Sequence, residues 1–303
     1  MSQQNLNTDL KAILETAQLP ALPQTAIRLI ELSQDASNGP AQFARPIEAD
    51  AGLMGQVLRF VNSSYFGFSR EVSSVQQALA LVGVRTIKNF ALWSAVFSLV
   101  PDPKFGPFDL KKLWQDSLRR AVFARILGRS IRLHNAEDLF AAALLQDMAI
   151  PLLLKEMPSQ YEELIQRRST EGMRLSSLER ELFGWDHAEA AAALVRNWRL
   201  PEEFAKLIEH HPSFDDLMGR QPPQLDAACV ALASLLPACQ DDRWTEREEF
   251  TTGLKRIANA SYDSIPKILE EADKAFEEFA PIMKLPVPEK TLIKWFQEEH
   301  SEV

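Results

Sequence analysis

An all-α fold is predicted by two observations. Nearly every segment of the 303-residue chain repeats its apolar residues at helical spacing, and no stretch alternates polar and apolar residues between turn signals as a half-buried strand would. The composition agrees: 46% hydrophobic and 25% charged residues describe a chain that buries a sizeable core, not a disordered or fibrous one. In order along the chain, Pro23 opens an amphipathic stretch carrying Ala26, Ile27, Leu29, Ile30 and Leu32, which Asn38-Gly39-Pro40 ends by turn chemistry. The next helix is expected from Ala51 to Val61, where Leu53, Met54, Val57, Leu58 and Val61 recur at three and four, and it stops at Asn62-Ser63-Ser64. A third, Val84 to Leu99, places Ile87, Phe90, Ala91, Ser94 and Ala95 on one side and ends before Pro101.

Three prolines and a glycine in the eight residues PDPKFGPF, 101–108, mark a boundary between lobes, so residues 1–107 are read as an N-terminal helical lobe. A second helical lobe, 108–240, follows. Its helices are expected at Leu110 to Arg132, Asp138 to Glu156 with a kink at Pro151, Gln160 to Thr170, Leu175 to Leu182, His187 to Arg196, Pro201 to His210 and Leu225 to Leu236. Residues 241–303 form an acidic C-terminal extension, with two helices from Trp244 onward broken by Pro266 and by Pro281 to Pro288.

The longest apolar run, Leu139 to Leu154, is interrupted by Gln146, Asp147 and Pro151 and is too short for a bilayer span. The N-terminus is polar and lacks an export signal, so a cytoplasmic location and no membrane partner are expected. Cys229 and Cys239 form neither a CxxC pair nor a zinc set and read as reduced thiols. The formal net charge is −9, with all of the excess acid in the C-terminal third, which disfavours nucleic acid as a partner. Against this trend, seven basic residues between Lys111 and Arg132 face Asp116 alone on one predicted helix. That face reads either as solvated or as the partner of the acidic tail, which could fold back on it as a lid.

Candidate chemistry lies in the second lobe. Asp147 places a carboxylate inside the apolar run AAALLQDMAIPLLL, where burial without a partner costs several kcal/mol, roughly. It therefore needs a cation, a metal ion or strong hydrogen bonds, and an ordinary arginine pair or a helix cap is the plain alternative. His187 follows Asp186, which reads as an N-cap with Glu189 completing a capping box, so the imidazole sits in a first turn where the helix end favours its neutral form. His210 and His211 end a helix before Pro212, where a favourable interaction with the helix dipole accounts for them equally well. Asp116 is either a fifth candidate ligand or the partner of Arg119 or Arg120 one turn on. Asn62 reads as a left-handed helix cap, and Asn62 and Tyr65 are available for partner contact in the cleft between the lobes, with Arg119 and Arg120 further partner-contact candidates on the basic helix.

The stretches LPALPQTAIRLIELSQD, PIEADAGLMGQVLRFVNSSYFG, VSSVQQALALVGVRTIKNFAL, LWQDSLRRA, ALLQDMAIPLLL and ELFGWDHAEAAAALVRNWRLPEEFAKLIEHHP occur in an order and spacing that resembles the HDOD domain family over about residues 15 to 215. That family is a divergent relative of the HD and HD-GYP metal-dependent phosphohydrolases, which use an H…HD…H…HH…D ligand series to hold two or three ions. The resemblance implies an HD-like helical core in the second lobe, with Asp116 in place of the first His, Gln146-Asp147 in place of the HD pair, and His187 and His210-His211 retained. The closing Asp falls near Ser234, Ala149 stands for the usual glycine, and no GYP signature is present.

A neutral Gln amide is a poor metal ligand, so two-ion hydrolysis is not expected. No cofactor is expected, although Asp147, His187, His210, His211 and Asp116 leave room for one divalent metal ion. The function implied by the resemblance is a non-catalytic sensor or scaffold in bacterial signal transduction, with a signalling protein or small ligand as partner. The rivals are a divergent single-metal phosphohydrolase and a nucleotide-binding module whose basic helix contacts phosphates through Arg119 and Arg120.

Overall fold

In the computed structural model, residues 9–16, 21–35, 37–104, 106, 108–258 and 264–298 are described, and every regular element among them is a helix. The first lobe contains α1 (Leu10–Thr16), α2 (Gln24–Ser33), α3 (Pro40–Ala49), α4 (Ala51–Val61), α5 (Val75–Val82) and α6 (Val84–Leu99). The second contains α7 (Leu110–Ser130), α8 (Ala136–Leu145), α9 (Ile150–Glu156), α10 (Pro158–Glu171), α11 (Leu175–Phe183), α12 (His187–Asn197), α13 (Glu202–Glu209), α14 (Phe214–Gly219) and α15 (Leu225–Ala233). The extension contributes α16 (Arg247–Ala258), α17 (Ile265–Phe279) and α18 (Leu292–Glu298), three helices among the described residues where two were expected.

Local chemistry accounts for the element ends. Asp50, Ser74, Asp109 and Asp186 each accept backbone N–H bonds at the start of α4, α5, α7 and α12. α10 and α11 stop at Gly172 and Gly184, both left-handed. The short helices α1, α3, α5 and α14 were not read from the sequence. α3 even contains Pro46, which the ten-residue helix tolerates while burying Phe43, Ala44 and Ile47.

Two expectations are corrected. Asp138 to Glu156 is not one kinked helix: α8 ends at Leu145, and residues 146–149 form turns in which Met148 N–H donates to Leu145 C=O and Ile150 N–H to Asp147 C=O. Pro151, with no N–H to give, sits in the first turn of a new helix instead of bending an old one. Asn62 is not left-handed, with φ −83°. Its amide clamps the loop ahead of α5, accepting the Val72 N–H at 2.8 Å and donating to the Val72 and Leu58 carbonyls at 2.9 Å.

The core is continuous through both lobes and the extension, with α7 at its centre, packed by α8, α15 and α17. α17 lays Leu269, Ala272, Phe276 and Phe279 inward, and Gln115 of α7 donates to the Pro286 carbonyl at 2.8 Å. The extension thus does fold back on the basic helix. No single described helix is long and apolar enough to cross a membrane; α5 and α6 pass that test only as a pair, and they are bent by 118° at Gly83.

Candidate metal and ligand site

Three side chains converge where α8 breaks. Asp147 lies in the turn before α9, His187 opens α12 and His211 follows the end of α13; all three are buried. His187 Nε2 is 3.2 Å from His211 Nε2 and 3.3 Å from Asp147 Oδ1, and His211 Nε2 is 3.6 Å from the same oxygen. Donors bound tetrahedrally at about 2.0–2.1 Å from an ion stand roughly 3.3–3.4 Å apart, so the triad has the spacing of three ligands around one ion. The outer nitrogens are also committed as metal-binding histidines require. His187 Nδ1 lies 2.6 Å from Glu179 Oε2, and His211 Nδ1 lies 2.8 Å from the Ile208 carbonyl. This donor set fits a single borderline ion such as zinc, with a water or ligand completing its coordination. Among the described residues these three are the group that could hold a metal.

Glu179 was not read from the sequence. It is fully buried, accepts the His187 backbone N–H at 2.9 Å and the Tyr161 hydroxyl at 2.7 Å, and so fixes the imidazole from behind. A signal existed, because Leu175, Leu178, Glu179 and Leu182 put a carboxylate on the apolar stripe of α11.

Glu179 also overturns the expected neutral imidazole. Burial opposes charge on His187, but Glu179 and Asp147 outweigh it and, with no ion bound, push its pKa up to about 10. His211 is pushed down to about 3 by burial, with Asp147 opposing and the charged His187 adding to the effect. One proton is therefore shared out to His187. The Asp147 carboxyl is held well below the usual range, because Arg120 and the histidines overcome its burial.

Arg120 supplies the arginine partner that was the plain alternative for Asp147. Its Nη1 donates to Asp147 Oδ2, leaving Oδ1 to the histidines. Asp116, one turn before Arg120, accepts the Cys239 N–H at 2.8 Å, and burial raises its pKa against the pull of Arg120. It lines the same cavity but is not in the triad. His210 is left out as well: it is the half-buried C-cap residue of α13.

Arg119 is buried beneath the extension, bonded to the Lys290 carbonyl, and so presents no surface to a partner. Tyr65 accepts a hydrogen bond from Arg129 at 3.0 Å and stacks on the guanidinium of Arg125 at 4.4 Å, while Asn62 is spent on the Val72 clamp.

Beside the triad is a cavity of about 420 Å³ lined by Asp116, Arg120, Gln146, Arg174, Ser234 and the segment 240–246, among others. Ser234, where the resemblance places a closing Asp, donates to the His211 carbonyl at 3.0 Å and accepts from Arg174 at 2.6 Å. A larger and more open depression, about 570 Å³ between Phe214 and α16, lies away from the three donors and mixes four carboxylates, Asp215, Glu246, Glu248 and Glu249, with Arg174 and Arg256.

The HDOD domain model matches residues 19–214. An uncharacterized protein of Treponema pallidum (strain Nichols) is 25% identical over 218 residues, 69% of this chain and 41% of that protein, so the chain spans well under half the length of this curated relative. An HDOD domain protein of unknown function from Geobacter sulfurreducens superposes with a TM-score of 0.69 at 20% identity, covering 92% of this chain and 97% of that one. A Shewanella amazonensis SB2B protein whose name suggests a metal-dependent phosphohydrolase superposes with a TM-score of 0.62 at 18% identity, covering 89% and 97%. At these identities the superpositions show the shared fold alone.

Proposed function

The chain belongs to the HDOD domain family, and from that premise we propose that it is a non-catalytic regulatory protein of signal transduction whose second lobe holds one divalent ion and a small ligand. The observation that carries this reading is the Arg120–Asp147 pair. A carboxylate that serves two ions offers an oxygen to each; here one oxygen is held by the protein's own guanidinium, which stands where a second cation would be useful. Gln146 in place of a histidine and Ser234 in place of an aspartate remove two further donors for that second ion. An ion bound by Asp147, His187 and His211 would supply Lewis acidity to one ligand atom. The residues around it would position that ligand: Glu179 holds the His187 ring and Arg120 holds Asp147.

A second reading, a single-metal phosphohydrolase, is favoured by one observation, the opening of the triad onto a cavity large enough for a substrate. The two are separated by elemental analysis of protein purified without chelator, followed by assay of bis(p-nitrophenyl) phosphate and p-nitrophenyl phosphate in zinc, manganese and magnesium. The regulatory reading expects close to one ion per chain, lost in Asp147→Ala and His187→Ala, and no turnover. Metal-dependent turnover abolished by the same substitutions would establish the hydrolase instead. A metal-free parent would refute the ion.

A further inference from the structure

We infer that the cavity beside the triad is an anion site that receives the phosphoryl group of a small organic phosphate, gripped by Arg174 and Arg120. The inference deepens the ligand-binding reading of this lobe and does not depend on the ion.

Arg174 is the residue that points to it. It precedes α11 and faces the cavity, yet its hydrogen-bond partners are neutral: Nη2 donates to Ser234 Oγ at 2.6 Å and Nη1 to the Pro212 carbonyl at 3.4 Å. Among the described residues no carboxylate is within ion-pair distance of it. Burial pushes its pKa down against the nearby carboxylates of Glu246 and Glu249, with the charge of Arg120 adding to the effect. Arg168, on the same wall, shows the contrast, because Asp241 neutralises it at 2.7 Å.

Arg120 supplies a second unspent donor. Its Nη1 is committed to Asp147, but among the described residues its buried Nε has no hydrogen-bond partner, and neither has Oε1 of Gln146 beside it. Buried polar atoms seldom go unpaired, and the Arg120 Nε marks a guanidinium whose donors the surrounding residues do not fully use. Of the acids on the wall, Asp147 is spent on Arg120 and the histidines, Asp241 on Arg168, and Asp116 on a backbone N–H with burial favouring its neutral form. Asp242 and Glu246 lie on the rim segment.

Two guanidiniums with donors to spare suit a dianion with three acceptor oxygens better than a carboxylate, which one planar fork can satisfy. The rest of the ligand is organic, because Ile150, Ile165, Met173, Leu175 and Leu236 form an apolar wall. The volume of about 420 Å³ is within the usual range for small-molecule sites, roughly 300–1,000 Å³.

The test is calorimetric titration of the chelator-treated full-length chain with phenyl phosphate, inorganic phosphate and benzoate at fixed ionic strength. It is repeated on Arg174→Gln and Arg174→Lys, with circular dichroism to verify folding. The expected result is saturable 1:1 binding of phenyl phosphate, weaker binding of inorganic phosphate, and benzoate weaker than phenyl phosphate by about tenfold or more. Arg174→Gln should lose about tenfold or more while Arg174→Lys recovers part of it. Absence of saturable phenyl phosphate binding, equal binding of benzoate, or unchanged affinity in folded Arg174→Gln would overturn the inference. Because the titration is done without metal, it reads the anion site alone, and a parent found metal-free when purified without chelator would refute the ion while saturable phenyl phosphate binding left the anion site standing.

Discussion

Asp147 and His187 set the charge state of the site between them, and this has a measurable consequence. In the metal-free chain His187 holds its proton up to about pH 10, against 6.5 for an unconstrained imidazole, while His211 at about 3 stays neutral. An ion that binds His187 Nε2 near pH 7.5 must displace that proton, so affinity should rise about tenfold per pH unit between pH 6 and 8. Zinc titrations in two buffers of different ionisation enthalpy should give close to one proton released per ion at pH 7.5; release near zero would mean that His187 is already neutral and that Glu179 does not charge it. The signs for stability without metal are opposite for the two rings. The raised pKa of His187 stabilises the fold fully below about 6.5 and is lost as pH climbs towards 10, whereas the depressed pKa of His211 stabilises above 6.5 and is lost as pH falls towards 3. At this scale the sequence was informative about residue type and silent about partners. A carboxylate in an apolar run had to be paired, but Arg120 is a full helix away and Glu179 lies on α11, so only the fold could say which cation and which acid meet Asp147 and His187.

Helices with one clean apolar stripe were legible to the residue: Ala51–Val61 and Val84–Leu99 occur where spacing placed them, and Asp186 caps α12 through the N–H groups of Ala188 and Glu189. The break between α8 and α9 was legible only as a kink at Pro151, because apart from Gln146, Asp147 and Pro151 the run Leu139 to Leu154 is apolar and offers no stripe whose periodicity could be seen to stop. That break shapes the candidate site, since it turns the Asp147 carboxylate toward His187 of α12 and His211 after α13. Helix contacts are tested by two glycines that spacing alone cannot tell apart. A Cβ on Gly253 of α16 would stand 2.6 Å from Leu232 Cδ1 and 2.8 Å from Phe214 Cζ, both in the core, whereas one on Gly219 of α14 would meet nothing within 4 Å. Gly253→Ala should therefore cost about 1–3 kcal/mol by overpacking. Gly219→Ala should be neutral or stabilise by up to about 1 kcal/mol through the unfolded chain. Urea denaturation at pH 7 compares them, and a neutral Gly253→Ala would show that α16 is not seated against α14 and α15 as described.

The whole molecule is tied together at Arg125, which α7 buries completely under three aromatic rings: Tyr65 at 4.4 Å from the first lobe, Phe140 at 4.7 Å from the second and Phe279 at 4.9 Å from the extension. Among the described residues its one ion-pair contact is a long one, to Glu137 at 3.9 Å, and its Nε and Nη2 have no hydrogen-bond partner, so the ring faces carry much of the compensation for its charge. The Pro-rich segment 101–108 stands out in the sequence, but this junction did not, because it joins residues from three distant segments. It also decides between two roles for the acidic extension. A lid would rest on the cavity and be removable. Here the segment 240–246 does form part of the cavity rim, but α17 and α18 are built into the core through Phe276, Phe279, Leu292, Trp295 and Phe296. Truncation after Ala258 should consequently strip apolar cover from α7, uncap Arg119 and Gln115, and remove one face of the Arg125 cage. The shortened chain should then lose cooperative thermal unfolding and bind a hydrophobic dye in native buffer. If it instead melted at the temperature of the parent with the cavity intact, the extension would be a dispensable appendage, and the aromatic cage around Arg125 would contribute nothing that the two lobes do not already supply.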